Sequence, residues 1–410
     1  MNKLKKILFA NIIITFSILL QTNLYSKNLF PVLKNEYVAY IDTTGNVVID
    51  DEFETEYQIQ TITTYNKNFI AIHFPDYAYF SEGKATFRKT WGFWFIRLGS
   101  EYGVIDTTGK VIIKKQDNLI NNFKNGLALT KIPLKNFGFT YGKEFSYIDP
   151  NNNFPFVDKI NKDENIDEIP TSLLISRNDS IFVIRTFDYA SDFYNGWAMV
   201  FTHKKYNYIN TNGELLSNKG FDDVHPFSEG KAVVLVDSVW CVVDANSKYL
   251  YPKNFYPDGK PIPNPRIKYL WNFHNDYARY TDDKVYGFLR ADNKILMCDL
   301  YAGANDFSEG FAGVKLINNE FNFIDTLGKM ISESNFDGVG NFKCGLAPVL
   351  KNGSWGYINP LGKIKINYQF DYATDFQDGF AYVWKNDLLM IINTDGKIIW
   401  KYNLSDLIKQ

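Results

Sequence analysis

Residues 345–362 read Gly-Leu-Ala-Pro-Val-Leu-Lys-Asn-Gly-Ser-Trp-Gly-Tyr-Ile-Asn-Pro-Leu-Gly. Gly345 to Leu350 is an apolar run of strand length, Asn352-Gly353 is a two-residue hairpin signal, and Trp355 to Asn359 is the returning strand. A second turn follows from Asn359 to Gly362, opened by a short polar side chain and closed by glycine. Lys363 to Ile366 then supplies a third strand. The stretch predicts a three-stranded antiparallel meander.

Working outward, the residue matching Gly345 recurs as Asn28, Gly83, Gly126, Gly196, Gly230, Asp276, Gly310 and Gly379, which makes nine units with a period near 34 residues. The position of Trp355 is filled by Val38, Tyr102, Phe145, Tyr206, Trp240, Tyr286, Phe321 and Leu389, so it is expected to belong to the core. Between units runs a second phrase, cleanest at Phe370 to Gly379 and repeated at Phe187, Phe221, Tyr301 and Phe336. Its two rings, six residues apart, are expected to pin a polar connection onto the core.

Three insertions break the period, near 51–69, 154–181 and 251–266. The last holds Pro252, Pro257, Pro261, Pro263 and Pro265 and reads as a stiff loop. The middle one, polar and acidic through 162–169, reads as a surface excursion, with a degenerate hidden unit as the alternative. A different elaboration lengthens the hairpins of the second and third units by nine residues each. These carry Trp91, Phe93 and Trp94 in one and Phe137, Phe139 and Tyr141 in the other. Neighbouring lengthened hairpins are expected to project together, and their rings are the candidate ligand-binding residues, with packing of the hairpins on each other as the bland alternative.

The 410 residues are 45% apolar, 17% aromatic and 22% charged, the profile of a folded chain with an ample core. A net charge of −2 with no basic stripe argues against a nucleic-acid partner. Lys3, Lys5 and Lys6 precede an apolar tract from Ile7 to Leu20 and a polar stretch ending at Ser26, the layout of a signal peptide over residues 1–26. The tract is short for a spanning helix, so export to the periplasm, cell surface or medium is expected, with no membrane span after cleavage. The repeat array then occupies 27–400 and a tail 401–410. Cys241, Cys298 and Cys344 follow no metal-ligand spacing and are expected to be buried small residues, although one pair could form a disulfide.

The bland readings absorb most chemical candidates. Asp42, Asp106, Asp149, Asp244 and Asp325 resemble a cation ladder, but Arg290 stands at the same position, and an arginine ligates no cation. Turn capping is the expectation there. The Glu of Ser81-Glu82-Gly83, Ser228-Glu229-Gly230 and Ser308-Glu309-Gly310 recurs once per unit, so these carboxylates are spread along the array instead of forming a glycosidase pair. His73, His203, His225 and His274 have no metal or nucleophile partner pattern and read as surface or satisfied core. No metal and no cofactor is implied.

The phrases Trp355-Gly356-Tyr357-Ile358-Asn359-Pro360-Leu361-Gly362-Lys363 and Tyr102-Gly103-Val104-Ile105-Asp106-Thr107-Thr108-Gly109-Lys110 resemble the WG (KWG) repeat family of bacterial proteins. The array covers essentially all of residues 28–400, although the literal Trp-Gly pair stands at that position only at Trp355. The resemblance implies a β-rich, often exported binding or scaffold module and brings no catalytic residues. The expected fold is all-β, an open twisted array of nine three-stranded units, with a closed propeller as the alternative. The expected function is non-catalytic binding of an envelope glycan or a protein. The competing function is a polysaccharide hydrolase or lyase with its site in the insertions.

Overall fold

The computed structural model describes residues 29–34, 37–50, 58–64, 67–73, 79–93, 96–116, 119–136, 139–160, 173–177, 180–386 and 388–403. Its regular elements are all strands, paired antiparallel in small sheets. The stretch at 345–362 forms the expected meander. Ala347–Lys351 pairs with Ser354–Ile358, which pairs on its other side with Ile364–Phe370. Asn352 and Gly353 both have positive φ, 51° and 78°, the backbone of a two-residue turn whose twist matches the flanking strands.

The connecting phrase does more than link units. Phe336 and Phe342 are buried as anchors, and Gly338–Val339 between them pairs with Leu350 and Val349, adding a two-residue lead strand in front of the opening strand. The third strand of one unit thus runs on into the lead strand of the next. Ile295–Ala304 does this without interruption, pairing first with Tyr286–Arg290 and then with Phe311–Leu316, so two units share one six-stranded sheet.

Lead and opening strands are joined by a second tight turn, and this is where the recurrent Ser-Glu-Gly sits. Glu309 (φ 51°) and Gly310 (φ 83°) are both left-handed, which accounts for the glycine. Such a turn points two backbone N–H groups outward, and the preceding unit's glutamate takes them. Glu309 accepts from Cys344 and Gly345 at 2.7 and 2.8 Å, Glu229 from Asn275 and Asp276, and Glu82 from Asn125 and Gly126. The repeated carboxylate is therefore an inter-unit clasp.

The core lies between units. Phe323 and Phe336 of the seventh pack with Ala347, Val349 and Ile358 of the eighth, flanked by Phe311 and Ile331. The ninth unit meets the first through the matching positions, Phe380, Ile391 and Trp400 against Val32, Ala39 and Ile41. The rings of Phe30 and Phe380 lie 4.7 Å apart, and Tyr382 hydrogen-bonds Tyr79 of the second unit. Of the two arrangements left by the sequence, the open array and the propeller-like one, these end-to-end contacts select the second: the array returns on itself. The apolar face that an open array would leave at each end is covered instead.

The insertions behave differently from one another. Residues 252–268 contain no strand, as the prolines require. The 154–181 region is not merely a surface excursion, because Val157–Lys159, Leu174–Arg177 and Ser180–Ile184 form a small sheet whose Leu173 and Ile184 pack on Ile132. Near 51–69 lies a hairpin, Gln58–Thr64 with Lys67–His73. The lengthened hairpins are present as Lys84–Phe93 with Ile96–Asp106 and Ala128–Asn136 with Phe139–Ile148.

Candidate functional site

In the third to ninth units the lead chain carries one residue more than its partner just before the turn into the opening strand. In the sixth unit Leu270 faces Tyr280 and Phe273 faces Ala278, so Trp271 and Asn272 together oppose Arg279. A bulge of this kind bends the strand and turns its side chains away from the ladder. In the fourth, seventh and ninth units the corresponding pair is small and polar, Ser191-Asp192, Asn305-Asp306 and Thr374-Asp375, whereas in the fifth it is His225-Pro226. These residues make a seam between units, as where the backbone N–H and Nδ2 of Asn341 donate to Asp375 at 2.7 and 2.8 Å.

At the junction of units five, six and seven the seam becomes aromatic and charged. The rings of His225 and Trp240 are 5.0 Å apart, Trp240 and Tyr269 4.9 Å, Tyr269 and Trp271 4.4 Å, and Trp271 and Tyr286 6.0 Å. The Arg279 guanidinium lies 4.2 Å over the Trp271 ring, a cation–π contact. Its Nε donates to Asp306 at 3.0 Å and its Nη1 to the Ala304 carbonyl at 2.6 Å. His274 Nε2 stands 3.8 Å from the other Asp306 oxygen. Tyr269, Trp271, Arg279, Tyr286 and His274 keep part of their surface in water.

Two polar atoms inside this cluster are unspent. His225 Nε2 and Asn272 Oδ1 are buried and have no protein hydrogen-bond partner. Burial holds the His225 imidazole below its usual pKa, opposed by the carboxylates of Asp223 and Asp306, so the ring is neutral at neutral pH. An unpaired buried polar group costs free energy unless something else supplies the missing bond.

The residues singled out in the sequence fare unevenly. Trp94 and Phe137 lie outside the described residues, and for Trp91, Phe93, Phe139 and Tyr141 the structure describes the backbone alone. The signal-peptide segment 1–26 also lies outside the described residues. Turn capping by the recurrent aspartates is observed: Asp42 Oδ1 accepts from the backbone N–H of Thr44 and Asn46, and these bonds, led by the Thr44 hydroxyl, hold its carboxyl at about 2. At the Trp355 position Val38, Trp240 and Leu389 are buried in the core as expected, whereas Trp355, Tyr206 and Phe321 pack against its rim and are only partly buried. The deep position is two residues on, at Tyr357, Tyr208 and Phe323. Cys241 is buried as expected, but Cys344 is exposed, because it occupies the outward turn position held by Glu309 one unit earlier; both are free thiols. His225 is the histidine that departs from the bland reading. Its signal in the sequence was faint: an imidazole where the fourth, seventh and ninth units place serine, asparagine and threonine.

The model of the WG-containing repeat matches residues 102–132, 182–206, 208–240, 323–355 and 355–388. The chain is a WG-repeat protein. Its repeats join end to start at Trp355, where two matches meet, and they span the strands that build the aromatic seam up to Trp240. No curated protein matches the chain. Among solved structures, the WG-repeat chain is similar to BamB from Moraxella catarrhalis (12% identity, TM-score 0.32, 51% of this chain and 70% of that one). It is also similar to apo AztD from Citrobacter koseri (11%, 0.32, 74% and 92%) and to the WD40 β-propeller domain of Doa1 (11%, 0.28, 52% and 81%). Likenesses at these scores carry no argument about ligand or activity. Among the described residues of the WG repeats no helix is long and apolar enough to cross a membrane, and no group of His, Cys, Asp and Glu side chains is placed to hold a metal ion.

Proposed function

We propose that this chain is an exported, non-catalytic binding module that takes a neutral glycan of the cell envelope at the junction of its fifth, sixth and seventh units. The observation that carries the reading is the pair of unspent buried atoms, His225 Nε2 and Asn272 Oδ1, beside the partly exposed rings of Trp271 and Tyr286. A sugar hydroxyl both donates and accepts, so it satisfies either atom, while the pyranose C–H face suits aromatic surface. The charge of Arg279 is already matched by Asp306, which leaves no excess charge to be answered by an ionic ligand. Trp, Tyr and Arg are also the residues that dominate binding energy at protein interfaces, so a protein partner is the natural second occupant.

The test is an equilibrium titration of intrinsic tryptophan fluorescence with neutral envelope oligosaccharides. Wild type is compared with Trp271→Ala, Asn272→Ala and a Trp91→Ala/Trp94→Ala/Phe139→Ala variant. Saturable binding weakened at least about tenfold by Trp271→Ala or Asn272→Ala, in proteins that melt like wild type, supports the site. Loss confined to the triple variant moves the site to the lengthened hairpins. Chain shortening of the oligosaccharide during the titration would instead mark an enzyme.

A further inference from the structure

In each unit a capped turn leads from the returning strand towards the third, and the residue two places after the capping position stands at the tip of that turn. In seven units this residue is polar: Thr44, Thr108, Asn151, Asn212, Asn246, Asp292 and Asp395. In the seventh and eighth it is Leu327 and Leu361, 81% and 73% exposed. The turns themselves do not call for leucine. Asp325 Oδ1 accepts from the backbone N–H of Leu327 and Lys329, and Asn359 Oδ1 from those of Leu361 and Lys363, the same cap as in the units with polar tips.

The two leucines belong to one continuous rim. A Cβ on Gly362 would come within 2.6 Å of the Ile331 carbonyl oxygen, so the turn of the eighth unit rests directly on the chain leaving the turn of the seventh. A Cβ on Gly396 would meet the Ile366 side chain at 3.5 Å, which sets the ninth unit's turn against the eighth in the same way. Behind the tips Met330, Ile364 and Ile398, each two residues past its turn's glycine, are exposed as well. Neighbouring exposed apolar side chains of this kind mark an interaction surface.

The rim is also cationic. Lys329, Lys363 and Lys397 follow the three glycines, and Lys365 follows Ile364; all four are exposed. Segments 325–331, 359–366 and 393–399 hold these four lysines against two aspartates, +2 in a chain of formal net charge −2. Both aspartates are engaged, Asp325 by its own turn and Asp395 by Lys365 at 3.5 Å. Leucines on projecting tips with lysines beside them match an anionic lipid surface, where the apolar ends enter the headgroup layer and the ammonium groups remain among the phosphates. A second copy seated symmetrically would bring the same lysines face to face. We propose that this rim of the seventh, eighth and ninth units docks on the surface of an anionic phospholipid bilayer. None of the residues of the aromatic seam lies in these segments, so the inference stands or falls separately from the glycan site.

The test uses the full chain carrying Cys298→Ser and Cys344→Ser, labelled with an environment-sensitive fluorophore at Leu361→Cys or, at the matching tip of the fourth unit, at Asn212→Cys. Each is mixed with vesicles of equimolar phosphatidylglycerol and phosphatidylcholine, or of phosphatidylcholine alone. The label at 361 should shift to the blue with the anionic vesicles while that at 212 does not. Lys329→Glu/Lys363→Glu/Lys397→Glu, which alters exposed side chains only and should melt like its parent, should weaken the response about tenfold or more. Equal shifts at 361 and 212, no shift at 361, or a shift indifferent to charge reversal and to phosphatidylglycerol overturns the proposal. So does a shift at 361 that grows with protein concentration without vesicles, which assigns the rim to a second copy, or one produced by polyglutamate and not by vesicles, which assigns it to an acidic polypeptide.

Discussion

His225 concentrates the chemistry of the site in one ring. Burial lowers its folded pKa, while in the unfolded chain the value is about 6.5. The unfolded state therefore binds the proton more readily, and stability falls as pH drops below about 6.5. His225→Gln should flatten that acid limb. The melting temperatures of the two proteins, compared at pH 7.5 and 5.5, should converge at the lower pH. Glu309 acts at the same scale through two backbone bonds across a unit boundary, both solvent-exposed. Glu309→Ala should cost about 1 kcal/mol in a denaturant melt, the lower end for charge-assisted bonds because water competes for the same groups.

At the scale of the element, the two-residue turn between lead and opening strands sets the register of each unit. Gly310 sits at φ 83° with open space around the position of a Cβ, so substitution there tests backbone conformation alone. Asp276 holds the equivalent place at φ 66° in the sixth unit, which shows that a short polar residue is tolerated. Gly310→Asn should therefore be nearly neutral, whereas Gly310→Val should cost about 1–2 kcal/mol by chemical denaturation. The bulge beside this turn is the element that makes a site possible. It recurs in the third to ninth units, and only its occupants differ, so one scaffold carries a polar seam at most of these junctions and an aromatic one at Trp271.

For the whole molecule, the packing of the ninth unit on the first is what separates a closed array from an open one. Phe380 fills that junction beside Phe30 and Val32. Phe380→Ala should cost about 3 kcal/mol and raise amide exchange in the first and last units together, with little change in the fourth and fifth. A loss confined to the ninth unit would mean that the two ends do not support one another.

The sequence by itself determined the unit. Hairpin dipeptides, capping residues and apolar runs act over fewer than ten residues, so the meander at 345–362, the nine-fold repetition, the turn-capping aspartates and the lengthened hairpins could all be read from local patterns. Its reach ended where partners come from different units. The lead strand was legible only as two anchoring phenylalanines, because its two paired residues are specified by the strand they meet and not by their own alternation. The clasp by Glu309 required knowing that the next turn's N–H groups lie within reach. The aromatic seam escaped for the same reason: Trp240, Trp271 and Asp306 come from three different units, tens of residues apart in the chain, and share no spacing. Closure of the array was likewise left to the tertiary structure, since the complementarity of Phe380 and Val32 exists only once curvature, accumulated unit by unit, has brought the two ends together.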